Sequence, residues 1–463
     1  MCRHNNIIKL ISIILACIMS LLVFSGCNET KTEMKGEMES NQDTQKSTED
    51  EVAPMPVYDP NTLPESDPLE VKEIQSYYAR KLSNRSKLTY DEVYNAAEKK
   101  ETEFVLNQKV SVDEFKKIMN IIFLDTPEFY YLRSRYYYET DASGYVSRVK
   151  LYYLLTQNQI AETEKKAKQD LTTKISDLRA LSTQYEVESS AYLSLLDSYI
   201  PNISKISFDY DDPELCSSLF GPMCFSRGND KAVAKAFTYY CRMTGIDSAV
   251  VIGDFISADF SKEIGLGIKS ENSSGQGKNI YIEKSNSSGT LVVCNYDDLY
   301  AWNIVQINNQ WYHVDIPIAS AWHNSEQAFE QVNRENFMPF FNLNDYAISQ
   351  SRLFYMNEDI LGILPECKEN TFQYYYRTGD FFLDYTYNQT ITAINKKLDS
   401  MVQERKDRVI IQFISESCFD NFKKLWEEQV NKYNENRNNP IQNYDIIYNR
   451  ESLMVYVYNL VYL

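Results

Sequence analysis

The runs Ala301–Ile307 and Gln310–Ile316, joined by Asn308-Asn309, constrain this chain more than any other feature. Both runs are rich in β-branched and aromatic residues. Two turn-forming residues between such runs specify a tight antiparallel hairpin. Upstream, Lys231–Met243 reads as a helix with Val233, Phe237, Tyr240 and Cys241 on one face and Gly245 at its end. Ser248–Gly253 follows as a strand. The stretch Ser261–Thr290, rich in Ser, Gly and Asn, reads as an inserted surface loop carrying one weak hairpin.

Around this middle segment, residues 186–350, stand two others. In residues 71–185, Thr89-Tyr-Asp-Glu92 and Ser111-Val-Asp-Glu114 have the pattern of capping boxes, each expected to open a helix. Phe115, Ile118, Met119 and Ile122 then recur at helical spacing, and Pro127 ends that helix. Tyr130–Thr140 and Ser147–Thr156 flank Asp141-Ala-Ser-Gly144 as a β-hairpin, and Gln157–Leu181 reads as a long polar helix. Helical patterning then runs through Leu193, Leu196 and Ile200. Residues 351–463 give short strands at Phe372–Tyr376 and Phe381–Tyr385 and a helix over Ala393–Glu404. A strand at Val409–Phe413, a helix over Cys418–Tyr433 and strands at Tyr444–Tyr448 and Leu453–Tyr462 complete them. The expectation is an α+β fold with antiparallel strands.

The first 70 residues are of another kind. Met1–Lys9 carries Arg3 and Lys9 and no acid, and Leu10–Phe24 is almost unbroken apolar sequence. That run fits a signal peptide and is short for a membrane span, which needs about 20 apolar residues. Ser25, Gly26 and Cys27 follow. Residues 28–70 are acidic and polar and nearly without large apolar side chains, the composition of a tether. The formal net charge of −18 argues against a nucleic-acid partner, whose phosphates would be repelled. Six cysteines lie beyond Cys27 without CxxC spacing, so no zinc site is implied, and Cys216 with Cys224 is one close pair open to a disulfide. No HExxH, P-loop or dinucleotide motif is present, and no cofactor is expected.

Phe24-Ser-Gly-Cys27 resembles the lipobox of bacterial lipoproteins, with Phe24 where Leu is usual. The resemblance implies a chain of which residues 1–27 act as signal and Cys27 takes a lipid. Such a chain stands on the extracytoplasmic face of a membrane. An uncleaved N-terminal anchor would put it in the same place.

The middle segment resembles the transglutaminase-like superfamily, whose core is papain-like, a helix packed on an antiparallel sheet. The likeness rests on Asp230-Lys-Ala-Val-Ala-Lys-Ala-Phe237 with Gly245-Ile246 and Val250-Val-Ile-Gly253, on Tyr300-Ala-Trp-Asn-Ile-Val305, and on Trp311-Tyr-His-Val-Asp315. Asp125-Thr-Pro-Glu-Phe-Tyr-Tyr131 also resembles a region preceding this domain in clostridial surface proteins. In that family a Cys opening the helix is the nucleophile, a His on a strand is the base, and an Asp on the next strand orients the His. Here those positions hold Asp230, Tyr300 and Asp315. Asp230 cannot form a thioester, and a phenol with a reference pKa of about 10 is a poor base. Asp230 would serve the fold as a helix cap, and Tyr300 as a strand aromatic.

The resemblance with its departures implies a non-catalytic surface lipoprotein that binds a peptide, a glycan or an envelope protein in the old cleft. The alternative is a working cysteine hydrolase in which Cys224 pairs with His313, two residues from Asp315 on the same strand face. A glycosidase-type pair of Asp230 and Asp315 is a third reading; it needs carboxyls about 5 to 10 Å apart.

Overall fold

The computed structural model describes residues 63–72, 74–200, 213–256, 280–323, 338–438, 440–450 and 452–463. Residues 1–27 with Cys27, most of the tether, the side chain of Cys216 and residues 257–279 of the expected surface loop lie outside the described residues. The described residues belong to one compact unit, Val52–Leu463.

Helix α1, Asn84–Glu98, starts at Ser83, whose side chain accepts from Ser86 N. Thr89 was expected to open this helix and instead sits buried in its middle, its hydroxyl turned back to Arg85 O. Ser83 caps six residues earlier, and Glu92 is spent on Asn107 N rather than on a capping box. Strand β1, Glu103–Val110, follows, and then α2, Val112–Leu124, capped by Ser111 as expected. Phe115, Ile118, Met119 and Ile122 are all buried on it.

Strands β2, Leu132–Thr140, and β3, Val146–Tyr153, form the expected hairpin. Helices α3, Gln157–Arg179, and α4, Gln184–Leu195, both open with complete capping boxes, Thr156 with Gln159 and Thr183 with Glu186. Helix α5, Asp230–Thr244, ends at Gly245, whose φ is +101°. A Cβ there would also lie 1.9 Å from Glu70 O, so only glycine fits.

Strand β4, Ser248–Phe255, is buried along its whole length. Strands β5, Tyr281–Ser285, and β6, Thr290–Cys294, form the hairpin expected within a surface loop. It is no peripheral feature. Strand β6 pairs with β2, and the five-stranded order β1-β3-β2-β6-β5 carries the hairpin into the sheet of the first segment. Val292, buried completely, explains why: its side chain completes the core of that sheet.

Strands β7, Tyr300–Ile307, and β8, Gln310–Val314, turn at Asn308 and Asn309, whose φ angles of 50° and 61° suit a tight hairpin turn. Helix α6, Ile316–His323, and the short strand β9, Arg352–Leu353, follow. The second sheet has the order β8-β7-β4-β9, and α5 packs against β7 and β4. One hydrophobic core runs from Tyr77 to Phe372, so residues 71–185 and 186–350 share it.

The C-terminal part adds β10, Phe381–Phe382, α7, Tyr387–Gln403, β11, Val409–Phe413, α8, Glu416–Asn436, β12, Ile441–Asn449, and β13, Met454–Tyr462. Its sheet order is β10-β11-β13-β12, and its own core runs from Phe382 to Val457. Phe372–Tyr376, expected as a strand, contributes instead to a helical turn, Tyr374–Thr378. Gln373 caps that turn from one end and Gly379, at φ +76°, closes it at the other. These local caps outweigh the strand preference of three tyrosines. No helix among the described residues is long and apolar enough to cross a membrane.

One buried joint ties the first segment to the second. Asp125, after α2, accepts from Val250 N at 2.9 Å, Ser76 Oγ at 2.6 Å and Arg242 Nη2 at 2.7 Å. Arg242 also donates to Asp125 O at 2.7 Å and Ser248 O at 2.8 Å.

Candidate functional site

Asn229, not Asp230, is the cap of α5; its side chain accepts from Ala232 N. That corrects the expected capping role of Asp230. As the first helical residue, Asp230 turns its carboxylate across to β7 and accepts from Ala301 N at 2.8 Å. The Lys231 amine approaches the same carboxylate at 3.1 Å and also donates to Leu299 O. Asp230 therefore joins the start of the helix to the start of the strand, and it is buried.

Tyr300 opens β7 opposite Gly253. A Cβ on Gly253 would lie 2.2 Å from Leu353 O and 2.5 Å from the Trp302 ring, so this glycine lets β9 and Trp302 close on the strand. Tyr300 donates through its hydroxyl to Asp315 Oδ1 at 2.5 Å. Burial and the neighbouring Asp315 carboxylate push the Tyr300 phenol far above its ordinary range, so it stays a donor. Asp315, just after β8, also accepts from Ile318 N and caps α6. Its Oδ2 receives Arg352 Nε at 3.0 Å and Nη2 at 2.8 Å.

Arg352 and Asp315 are both without exposed side-chain surface. Burial pushes the Asp315 carboxyl up, and the Arg352 guanidinium is the strongest pull against it. The guanidinium lies 4.2 Å from the centre of the Phe255 ring and 5.6 Å from that of Phe340. Tyr199 completes the group: burial and then the Asp230 and Asp315 carboxylates push its phenol up.

The three expected positions are thus brought to one end of the helix–sheet pair, but as a packed network. Asp315 holds a phenol and a guanidinium where orienting an imidazole was its expected work. The same engagement leaves it unsuited to act in a carboxylate pair with Asp230. Sequence reasoning missed Arg352, which lies 37 residues from its partner and opens an otherwise apolar run, Leu353-Phe354-Tyr355.

His313 has a separate place. Its Nδ1 accepts from Trp302 Nε1 at 3.1 Å, and its Nε2 lies 2.9 Å from Asp345 Oδ1. Indole nitrogen is a donor only, so Nδ1 must accept and Nε2 carries the proton toward Asp345. Asp345 Oδ2 accepts from Cys367 N at 2.9 Å. Burial is the largest single influence and pushes the Asp345 carboxyl up, but the hydrogen bonds from His313 and Cys367 N and the nearby positive charge together outweigh it and hold the group below its usual range.

One donor atom each of His313, Asp345 and Cys367 lies within 4.8 Å of the others, close enough for a cation. The donor chemistry does not fit one. Trp302 donates to Nδ1, so Nε2 keeps its proton toward Asp345 and offers no lone pair to an ion.

Cys224 sits on a short helix, Phe220–Phe225, packed against the core, and is in no disulfide. The two ring nitrogens of His313 are committed to Trp302 and Asp345, which leaves neither to serve a thiol as base. Asn303 beside Trp302 donates to Ala234 O and Thr238 Oγ1, both at 2.9 Å, and pins β7 to α5. The chain matches no family model and no curated protein.

Proposed function

We propose that this chain is a non-catalytic member of the transglutaminase-like superfamily, with a papain-like core, that binds a peptide, glycan or protein partner. In this reading a lipid on Cys27 holds it at the extracytoplasmic face of a membrane. One observation carries the non-catalytic part: the acceptor positions of Asp315 are taken by Tyr300 and by Arg352. A triad carboxylate must orient an imidazole, and this one is neutralised by a guanidinium instead. Asp230 at the nucleophile position offers no thiol.

The test uses the full chain, assayed for peptide hydrolysis and for glutamine–amine cross-linking, alongside Cys224→Ser and His313→Gln. The expected result is no turnover in any of the three. Turnover that is lost in both variants would establish the thiol enzyme and end this reading. Anchoring is tested separately: Cys27→Ser should release the chain from the membrane fraction and remove the lipid mass.

A further inference from the structure

Away from the Tyr300–Asp315–Arg352 network, a cavity of about 330 Å³ opens between the five-stranded sheet and the first turns of α5. Phe123, Leu132, Ile282 and Val293 are among its apolar lining, and its charged lining is Arg135, Lys231 and Lys235 against Glu214 and Asp297. That volume falls at the lower end of small-molecule sites, which pair apolar walls with a few convergent polar groups.

The polar groups here are under-used. The half-buried Lys235 amine makes a hydrogen bond to Ser217 O at 3.0 Å. Arg135 lies over the Tyr152 ring at 4.6 Å, and its Nε is buried without a hydrogen-bond partner. A buried donor left without an acceptor is costly, and an anion would satisfy it. The nearby acid Glu214 accepts from Ser134 N at 2.7 Å and from Arg133 Nη1 at 3.1 Å. Lys231, which also lines the cavity, is paired with Asp230.

We propose that this cavity binds a small organic carboxylate with an apolar body, its carboxylate held by Lys235 and Arg135 and its body against the Phe123–Leu132–Val293 wall. The proposal rests on the binding part of the function proposed above and gives it a ligand class. Burial pulls the Lys235 amine down to about 8, with the Glu214 carboxylate opposing, so the amine is still mostly charged at neutral pH.

The test is calorimetric titration of the full chain with 3-phenylpropionate and octanoate, against 3-phenylpropanamide and inorganic phosphate. Either carboxylate should bind, and the amide and phosphate should bind at least about tenfold more weakly, the worth of a hydrogen bond to a charged group. Lys235→Met and Arg135→Gln should each weaken carboxylate binding by a similar factor, and Lys235→Arg should retain it. Folding of each variant is checked by circular dichroism, and Arg135→Gln with Lys235→Arg decides if Lys235→Met does not fold. Failure of both carboxylates to bind at millimolar concentration overturns the proposal, as does equal binding of acid and amide or of phosphate alone. None of these results bears on turnover, so this inference and the non-catalytic reading fail separately.

Discussion

Two buried aspartate–arginine pairs, Asp125–Arg242 and Asp315–Arg352, lie near opposite ends of helix α5 and its sheet, and they are held in different ways. The first is set in backbone. Asp125 takes Val250 N, and Arg242 reaches two main-chain carbonyls, Asp125 O and Ser248 O. The second is set mostly in side chains: Asp315 takes a phenol and a guanidinium, and aromatic rings flank Arg352. A backbone-held pair is a joint between segments, because removing it strands main-chain groups in the interior. A side-chain-held pair fills a space, and other side chains of the same volume can fill it too.

The largest effect should come from breaking either pair on one side. Arg242→Met and Arg352→Met should each cost about 3–5 kcal/mol in urea unfolding, since each leaves a buried carboxylate without its cation. The contrast sharpens when whole networks are replaced. The triple variant Tyr300→Phe, Asp315→Asn, Arg352→Met, which keeps an acceptor for Ile318 N, should recover most of that loss, because replacing a buried ion pair by neutral groups of similar volume is often close to neutral. Asp125→Leu with Arg242→Met should not recover, because Val250 N and Ser248 O lose their partners at about 1–3 kcal/mol each. Equal recovery by the two designs would remove the distinction between joint and filler.

A smaller effect belongs to the phenol. Tyr300→Phe keeps the ring against Phe255 and removes one hydrogen bond to Asp315, for an expected loss of about 1–2 kcal/mol. A loss as large as that of Arg352→Met would mean that the phenol, rather than the guanidinium, is what keeps the Asp315 carboxylate in place.

What the sequence made legible follows the range of the interaction. The α5 face with Val233, Phe237 and Cys241 and the turn at Asn308-Asn309 are written in neighbouring residues and could be read directly. Strand β1 could not: its apolar residues do not alternate, Val105 lies exposed beside buried Leu106, and it exists because it pairs with β3. The hairpin of β5 and β6 was visible as a hairpin, but its pairing with β2, more than a hundred residues earlier, leaves no local trace. At the site, Asp230, Tyr300 and Asp315 could be placed together through the resemblance. Arg352 and Asn229 could not. Nothing near Arg352 marks its partner, and Asn229 competes with Asp230 for one capping position that only the backbone geometry decides.

A third buried carboxylate gives the comparison its mildest test. Glu188, in the middle of α4, has no surface exposure, and its Oε2 accepts from Asn342 Nδ2 at 3.0 Å. Its Oε1 and the Asn342 Oδ1 have no hydrogen-bond partner. Burial pushes the Glu188 carboxyl well above the ordinary range, with only Asn342 opposing, so its neutral form is favoured where the two Arg-paired aspartates face a cation. The sign then follows. The folded value lies above the unfolded value of about 4.3, so the stability this group contributes is complete below that pH and is lost as pH rises through the folded value. Glu188→Gln keeps an acceptor for Asn342 and adds a donor that does not titrate. Its effect near pH 4 should stay within about 1 kcal/mol, and its advantage over the parent should grow as pH is raised. A parent and variant whose unfolding midpoints run parallel from pH 4 to pH 8 would mean that Glu188 is charged in the folded chain, and that a cation is not what separates the Arg-paired carboxylates from it.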